Sequence, residues 1–254
     1  QIKDIILASP EQTVSELMDH RFVALNAMDD QESAIRVFKD YDRVSLPVVN
    51  EEGILLGIVT FDDIMDVVEE ESTEDFHKFG SLQKPIINPL EAPTLHLFRE
   101  RIFWLAALLF VNIFSGAVLS SFESVIQSVV SLVFFLPLII DSAGNAGSQT
   151  ASLMIRSLAT GDVHLKDWYK LVGKELIVSF LLGIAMAVGI AAIAHFRSPD
   201  IIYIVALTML LVVMIGSLIG LLLPFIFTKL KLDPATASAP LITSIADILG
   251  ILIY

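Results

Sequence analysis

Five apolar stretches, near residues 102–121, 124–140, 171–194, 201–228 and 235–254, each approach the ~20 residues an α-helix needs to cross a bilayer. Hydrocarbon satisfies no free N–H or C=O group, so the region 99–254 reads as an all-α bundle of five transmembrane helices. Polar residues stand out against that background. The run Asp141-Ser142-Ala143-Gly144-Asn145-Ala146-Gly147-Ser148-Gln149-Thr150 directly follows the second apolar stretch, and Asp247 lies inside the fifth. Such groups persist at membrane depth only when they face a protein interior or a water-filled path, so both features point to a conduction pathway.

Charge divides the chain in two. Residues 1–100 carry 8 Lys/Arg against 21 Asp/Glu, and residues 101–254 carry 8 of each, so the formal charge of −13 belongs to the first part. At 55% hydrophobic and a mean hydropathy of +0.74 the chain is too apolar for an ordinary soluble enzyme. The acidic balance argues against a surface that neutralises nucleic-acid phosphates. The absence of cysteine excludes disulfides and thiolate metal sites. Gln1 stands where an initiator Met would, so the chain is expected to begin inside a longer protein, with a further domain upstream.

Basic residues set the orientation. Arg99, Arg101, Arg156, Lys166, Lys170, Lys174, Lys229 and Lys231 flank the apolar stretches on one side, and only Arg197 does so on the other. The positive-inside rule then puts the acidic part in the cytoplasm of a multi-pass plasma-membrane protein, and five crossings leave Tyr254 outside. Small residues at Gly216/Gly220 and at Ala185/Gly189 have the spacing of ordinary close helix packing.

In the acidic part, residues 46–63 hold two short β-branched runs around Asn50-Glu51-Glu52-Gly53, a hairpin signal. Before it, Ala34, Val37, Phe38 and Tyr41 recur at helical spacing within 31–41; after it a second helix is predicted to start near Asp62. On that helix Asp63, Asp66, Glu70 and Glu74 share a face, and Glu71 and Asp75 form an adjacent pair. Each like-charge i,i+4 contact costs roughly 0.2–0.5 kcal/mol. The helix dipole favours Asp62 and Asp63 but not the later acids. Two readings stand: a solvated face with Glu74 paired to Lys78, or a sensor of hard divalent cations such as Mg²⁺ or Ca²⁺. In the sensor reading, bound cations draw together a module that otherwise repels itself and its symmetry mate. Residues 76–98, with Pro85, Pro89 and Pro93, would carry the change to the membrane.

Within the pathway, Pro137 is expected to interrupt the second span, and the Gly144–Gln149 segment to bring backbones close and expose amide and carbonyl oxygens. Pro240 is expected to weaken the fifth helix and free carbonyls near Ala239 and Thr243. Asp247 follows Thr243 by one turn on the same face. Counted from Ala235 at ~1.5 Å per residue, it lies about 18 Å into the span, near mid-bilayer. An ionised carboxylate there costs ~2.5–3.5 kcal/mol. The bland alternative is a structural carboxylate capped by Thr243 or Ser244. Asp141 fits a pathway, an interface or a helix cap. Asp233, before Pro234, most simply caps the fifth span. Glu175 beside Lys174 reads as an interfacial ion pair. The five histidines, at 20, 77, 96, 164 and 195, lack ligand spacing, and no catalytic constellation is present, so no enzyme is expected.

The order strand–helix–strand–strand–helix, with Pro47-Val48-Val49 and Gly57-Ile58-Val59-Thr60-Phe61-Asp62-Asp63, resembles a CBS domain. One full copy covers 13–75, residues 1–12 resemble the tail of a preceding copy, and 76–98 form a connecting segment. In CBS domains a Thr and an Asp three residues later hold an adenine nucleotide; Thr60 and Asp63 occupy those positions. The whole chain resembles the MgtE family of Mg²⁺ channels, through the linking segment Thr73–Gly80 and two long motifs. One runs from Pro137 through Gly144-Asn145 and Gln149 to Arg156 and Asp162. The other runs from Asp233-Pro234-Ala235 through Pro240 and Ala246-Asp247 to Tyr254.

That resemblance implies a multi-domain protein, an α/β CBS module followed by an all-α bundle of five transmembrane helices. It implies a homodimer in the lipid bilayer, with a Mg²⁺ pore on the two-fold axis lined by the second and fifth spans. Asn145, Gln149, Ala239, Thr243 and Asp247 would line the pore, with paired Asp247 carboxylates holding a hydrated ion through outer-shell contacts. Cytosolic Mg²⁺ would close it by binding Asp30, Glu32, Asp42, Asp63, Asp66, Glu71, Glu74 and Asp75, with Asp233 at the pore mouth. The chain departs from the family at Ala239 and Ser148, where Asn is common, and at Asp141, an added charge. Two other readings of the chain are an ion-coupled divalent-cation transporter and a membrane-anchored regulatory subunit.

Overall fold

An Asn side chain shapes the first turn. Asn50 Oδ1 accepts from the N–H groups of Glu52 (3.1 Å) and Ile54 (2.8 Å), and Gly53 takes the left-handed conformation, φ +78°, that the turn requires. The result in the computed structural model, which describes residues 5–17, 22–82, 86 and 88–254, is the expected hairpin of β2 (Ser45–Val49) and β3 (Leu55–Thr60). The chain divides into two compact units, Gln1–Glu71 and Ser72–Tyr254. His20, Pro85, and the first four residues of the 1–12 segment lie outside the described residues.

In the first unit, β2 also pairs in parallel with the short β1 (Leu25–Asn26), giving the sheet order β1-β2-β3. A parallel pair needs a crossover, which α1 (Gln31–Tyr41) supplies. Phe38 of α1 is buried with Leu25, Leu46 and Ile64, the last from the start of α2 (Phe61–Phe79). The element order is the one expected from the hydrophobic pattern.

The second unit is helical: α3 (Thr94–Ser121), a short α4 (Glu123–Ser128), α5 (Ser131–Ala159), α6 (Trp168–Arg197), α7 (Ile202–Lys229) and α8 (Ala239–Ile253). α3 and α5, and α6 and α7 taken with their leading 3-10 turns, are long and apolar enough to cross a membrane. α8, with 15 residues, is about 22 Å long, short of the ~30 Å hydrocarbon core. α5 packs on both α7 and α8, α6 lies on α7, and α3 lies on α8. The core between them holds Phe135, Ile139 and Ala143 of α5 with Val205, Met209 and Val212 of α7 and Ala246 of α8.

Three expectations change. The second span begins at Ser131 rather than 124, and its helix runs unbroken through Pro137 and the polar segment to Ala159. This unbroken segment packs closely on α7: a Cβ at Gly216 of α7 would strike the Ala143 carbonyl, and one at Gly220 the Gly147 carbonyl. Pro240 opens α8 instead of weakening it, since a proline in the first turn forfeits no intrahelical bond. Of the two small-residue pairs, Gly216/Gly220 packs as expected. A Cβ at Gly189 would meet nothing within 4 Å, and the close approach on α6 falls at Gly183 against Leu210.

Candidate ion pathway

The polar run becomes a stripe once it is helical. Asp141, Asn145 and Gln149 follow one another at i, i+4 and i+8 and are exposed, while Ala143, Gly144, Gly147, Thr150 and Ala151 on the opposite side are buried. On α8, Ala239, Thr243 and Asp247 repeat the same spacing and are half-buried.

Glycine joins the two rows. A Cβ at Gly144 would collide with Thr243 Cγ2, and one at Gly250 would stand 3.9 Å from Ile140 Cα. Residue numbers rise along one helix as they fall along the other, so α5 and α8 run antiparallel here. Asp247, between Thr243 and Gly250, is therefore level with Ile140–Gly144. Asp141 falls within that level. Sequence reasoning left Asp141 ambiguous and outside the candidate ligands; its signal was the four-residue spacing to Asn145 and Gln149. Thr243 does not cap Asp247. Its hydroxyl donates to the Ala239 carbonyl at 2.6 Å, so that carbonyl is engaged rather than freed.

Asp233 departs from its expected role. It caps the 3-10 turn Pro234–Thr236, accepting from the Ala235 N–H at 2.8 Å, and α8 starts only after Ser238. Its other oxygen accepts from Lys78 Nζ at 2.5 Å, and the same ammonium pairs with Glu74. Phe79 packs beside these groups on the cluster of Ala151, Ile155, Ala235, Ala237 and Ile242. Burial works against the Lys78 charge, but the bonds to Asp233 and Glu74 outweigh it and hold the lysine above its ordinary pKa. The Glu74–Lys78 pairing was legible from their spacing; Asp233, 155 residues away from Lys78, was not.

The remaining candidate acids lie in or beside the first unit. Asp63 Oδ2 accepts from the Thr60 N–H (3.0 Å) and hydroxyl (2.6 Å), and these bonds lower its pKa below the usual aspartate range. Asp30 is the N-cap residue of α1 without a side-chain capping bond, and Asp42 closes that helix at φ 47°. Glu32 lies 3.8 Å from Arg36, and Glu71 accepts from the Gln31 amide. Asp66 is exposed, whereas Asp75, in the second unit, is half-buried. Among the described residues, no three His, Cys, Asp or Glu side chains converge on one point. Glu175 accepts from the Thr150 hydroxyl at 2.9 Å, and no described contact pairs it with Lys174.

Comparison with known proteins agrees with this division. Residues 136–254 match the family described as MgtE, divalent cation transporter, and residues 14–70 match the CBS domain. The magnesium transporter MgtE of Thermus thermophilus is 39% identical over 254 residues, covering 100% of this chain and 56% of the relative. That of Bacillus subtilis is 39% identical across 99% of this chain, and that of Enterococcus faecalis 30% identical across 100%; each is matched over 56% of its length. The chain thus spans little more than half of these relatives. A crystal structure of the cytosolic domain of the Mg²⁺ channel MgtE with ATP is similar over 26% of this chain and 27% of that one, at 47% identity and a TM-score of 0.25, too small a superposition to carry a functional argument.

Proposed function

The chain belongs to the MgtE family of divalent cation transporters, a family of transporters and not of enzymes, and from that premise we propose that it conducts Mg²⁺ through a pore built by two copies around α5 and α8. One observation carries the proposal: an exposed polar stripe, Asp141-Asn145-Gln149, lies on a membrane-spanning helix beside the half-buried Asp247. Lipid cannot solvate that stripe. A second copy facing it encloses a water-filled path, and the short α8 sets its carboxylate inside that path. Mg²⁺ sheds water reluctantly, so paired Asp247 groups and the amides of Asn145 and Gln149 hold the ion through its water shell.

The acidic module regulates the pore in this proposal. Glu74 and Asp233, from different elements, meet at the Lys78 ammonium, and a divalent cation drawn there offers the same two carboxylates twice the charge. Asp30, Glu32, Asp42, Asp63, Asp66, Glu71 and Asp75 enlarge the acidic surface that attracts it. Thr60 and Asp63 remain the proposed contacts for an adenine nucleotide.

The test is Mg²⁺ flux into liposomes holding the purified protein beside Asp247→Ala and Asp247→Asn. Loss of one differential carboxylate contact worth ~2 kcal/mol slows flux about 30-fold. Wild-type conduction with both variants unchanged would remove Asp247 from the pathway. Flux that depends on a proton or Na⁺ gradient would favour a coupled transporter, and absence of flux a regulatory subunit.

A further inference from the structure

A second site lies at the Lys-rich end of the bundle, on α7 residues separate from its Gly216/Gly220 contact with α5. The last two turns of α7 present Leu222, Phe225, Ile226 and Lys229 at i, i+3, i+4 and i+7, one continuous face. Opposite them stand Leu165 and Lys166, from the 3-10 turn that leads into α6, and Trp168, the first residue of α6. Between them is a cavity of about 370 Å³ with apolar walls and two ammonium groups.

The two lysines are what the packing leaves unexplained. Neighbouring Lys170 has Asp167 at 3.7 Å, but among the described residues neither Lys166 nor Lys229 has a carboxylate within ion-pair distance. Lys229 complements the C-terminal dipole of its own helix; Lys166 has no such role. A soluble anion would use the two charges and leave the apolar wall unused.

We propose that this cavity binds an anionic phospholipid of the surrounding bilayer, with its phosphate between Lys166 and Lys229 and an acyl chain along Leu222, Phe225 and Ile226. Trp168, half-exposed at the rim, sits at headgroup depth, where amphipathic aromatic rings collect. Basic pockets between transmembrane helices on the cytoplasmic side suit such headgroups, and two unpaired lysines give a preference over neutral lipid of roughly ten-fold. The proposal rests on the membrane reading of the chain and not on the ion it carries.

The chain has two tryptophans, so Trp104→Phe leaves Trp168 as the only indole. In that background, reconstituted in phosphatidylcholine, Trp168 fluorescence is titrated with brominated phosphatidylglycerol or brominated phosphatidylcholine. The expected result is quenching by the anionic lipid at about one-tenth the mole fraction of the neutral one. Lys166→Ala with Lys229→Ala should abolish that preference, and Lys174→Ala with Lys231→Ala, the same loss of two charges outside the cavity lining, should retain it. Equal quenching by the two lipids overturns the proposal, as does equal loss in the Lys174→Ala, Lys231→Ala control, which would mean a diffuse surface charge. Abolition of the preference by millimolar inorganic phosphate would assign the lysines to a soluble anion instead. Quenching is read without flux, so a failure here leaves the pore proposal untouched.

Discussion

A methyl group added at Gly147 would stand 2.7 Å from the Gly216 carbonyl oxygen and 2.8 Å from Ile242 Cγ2. The first obstacle is backbone on a neighbouring helix, so no rotamer relieves it. Gly147→Ala should therefore cost about 1–3 kcal/mol and lower the melting temperature in detergent. Gly189→Ala, with nothing within 4 Å of its added carbon and a better helix former in place of glycine, should not lower the melt. Asp63 makes a prediction in acid. Its bonds to Thr60 favour the ionised form, so their contribution is complete above the unfolded pKa of ~3.9 and is lost as pH falls through the lower folded value. Carboxyl-carbon NMR should find the Asp63 midpoint below the ordinary aspartate value of ~3.9, and Thr60→Val should raise it, because the hydroxyl bond is the larger cause. An unshifted midpoint in Thr60→Val would remove the hydroxyl from the account.

At the scale of elements, one ammonium ties the end of α2 to the turn before α8. The Lys78 and Asp233 side chains are about a third exposed, so the pair is worth ~0.2–1 kcal/mol, enough to bias docking without enforcing it. Lys78→Glu sets three carboxylates against one another. Amide hydrogen exchange should accelerate at residues 74–80 and 233–238, and adding Asp233→Lys should restore the slower rate. Acceleration confined to 74–80 would mean that the charges stabilise α2 alone. The lysine's raised pKa keeps the pairing intact below the ordinary Lys value of ~10.4, and it is lost only as pH rises through the folded value, so neutral pH changes do not test it.

At the scale of the whole molecule, the exposed row Asp141-Asn145-Gln149 is the feature a single copy in lipid leaves unsatisfied. Because the chain has no native cysteine, single substitutions report cleanly on what lies opposite. Asn145→Cys should cross-link two copies under mild oxidation in the membrane, and Ala185→Cys, on the exposed face of α6, should not. Cross-linking at Ala185 but not at Asn145 would move the dimer contact to α6 and overturn a pore along α5.

Local chemistry made much of this protein legible in one dimension. Hairpin, crossover helix and acidic helix followed from the Asn50–Gly53 turn, β-branched runs and a 3.6-residue period, all interactions within a few residues. The apolar stretches were equally plain, because hydrocarbon leaves the backbone one solution. What sequence alone misjudged was where helices begin and end around Pro137 and Pro240. A proline breaks a helix or opens it according to its place in the turn, and packing sets that place. Only tertiary structure turned the glycine-rich run into a packing seam on one side and a polar stripe on the other, because glycine's fitness depends on the backbone that approaches it. The placing of Asp141 level with Asp247, and the meeting of Lys78 with Asp233, likewise depend on how distant segments pack, which no local pattern encodes.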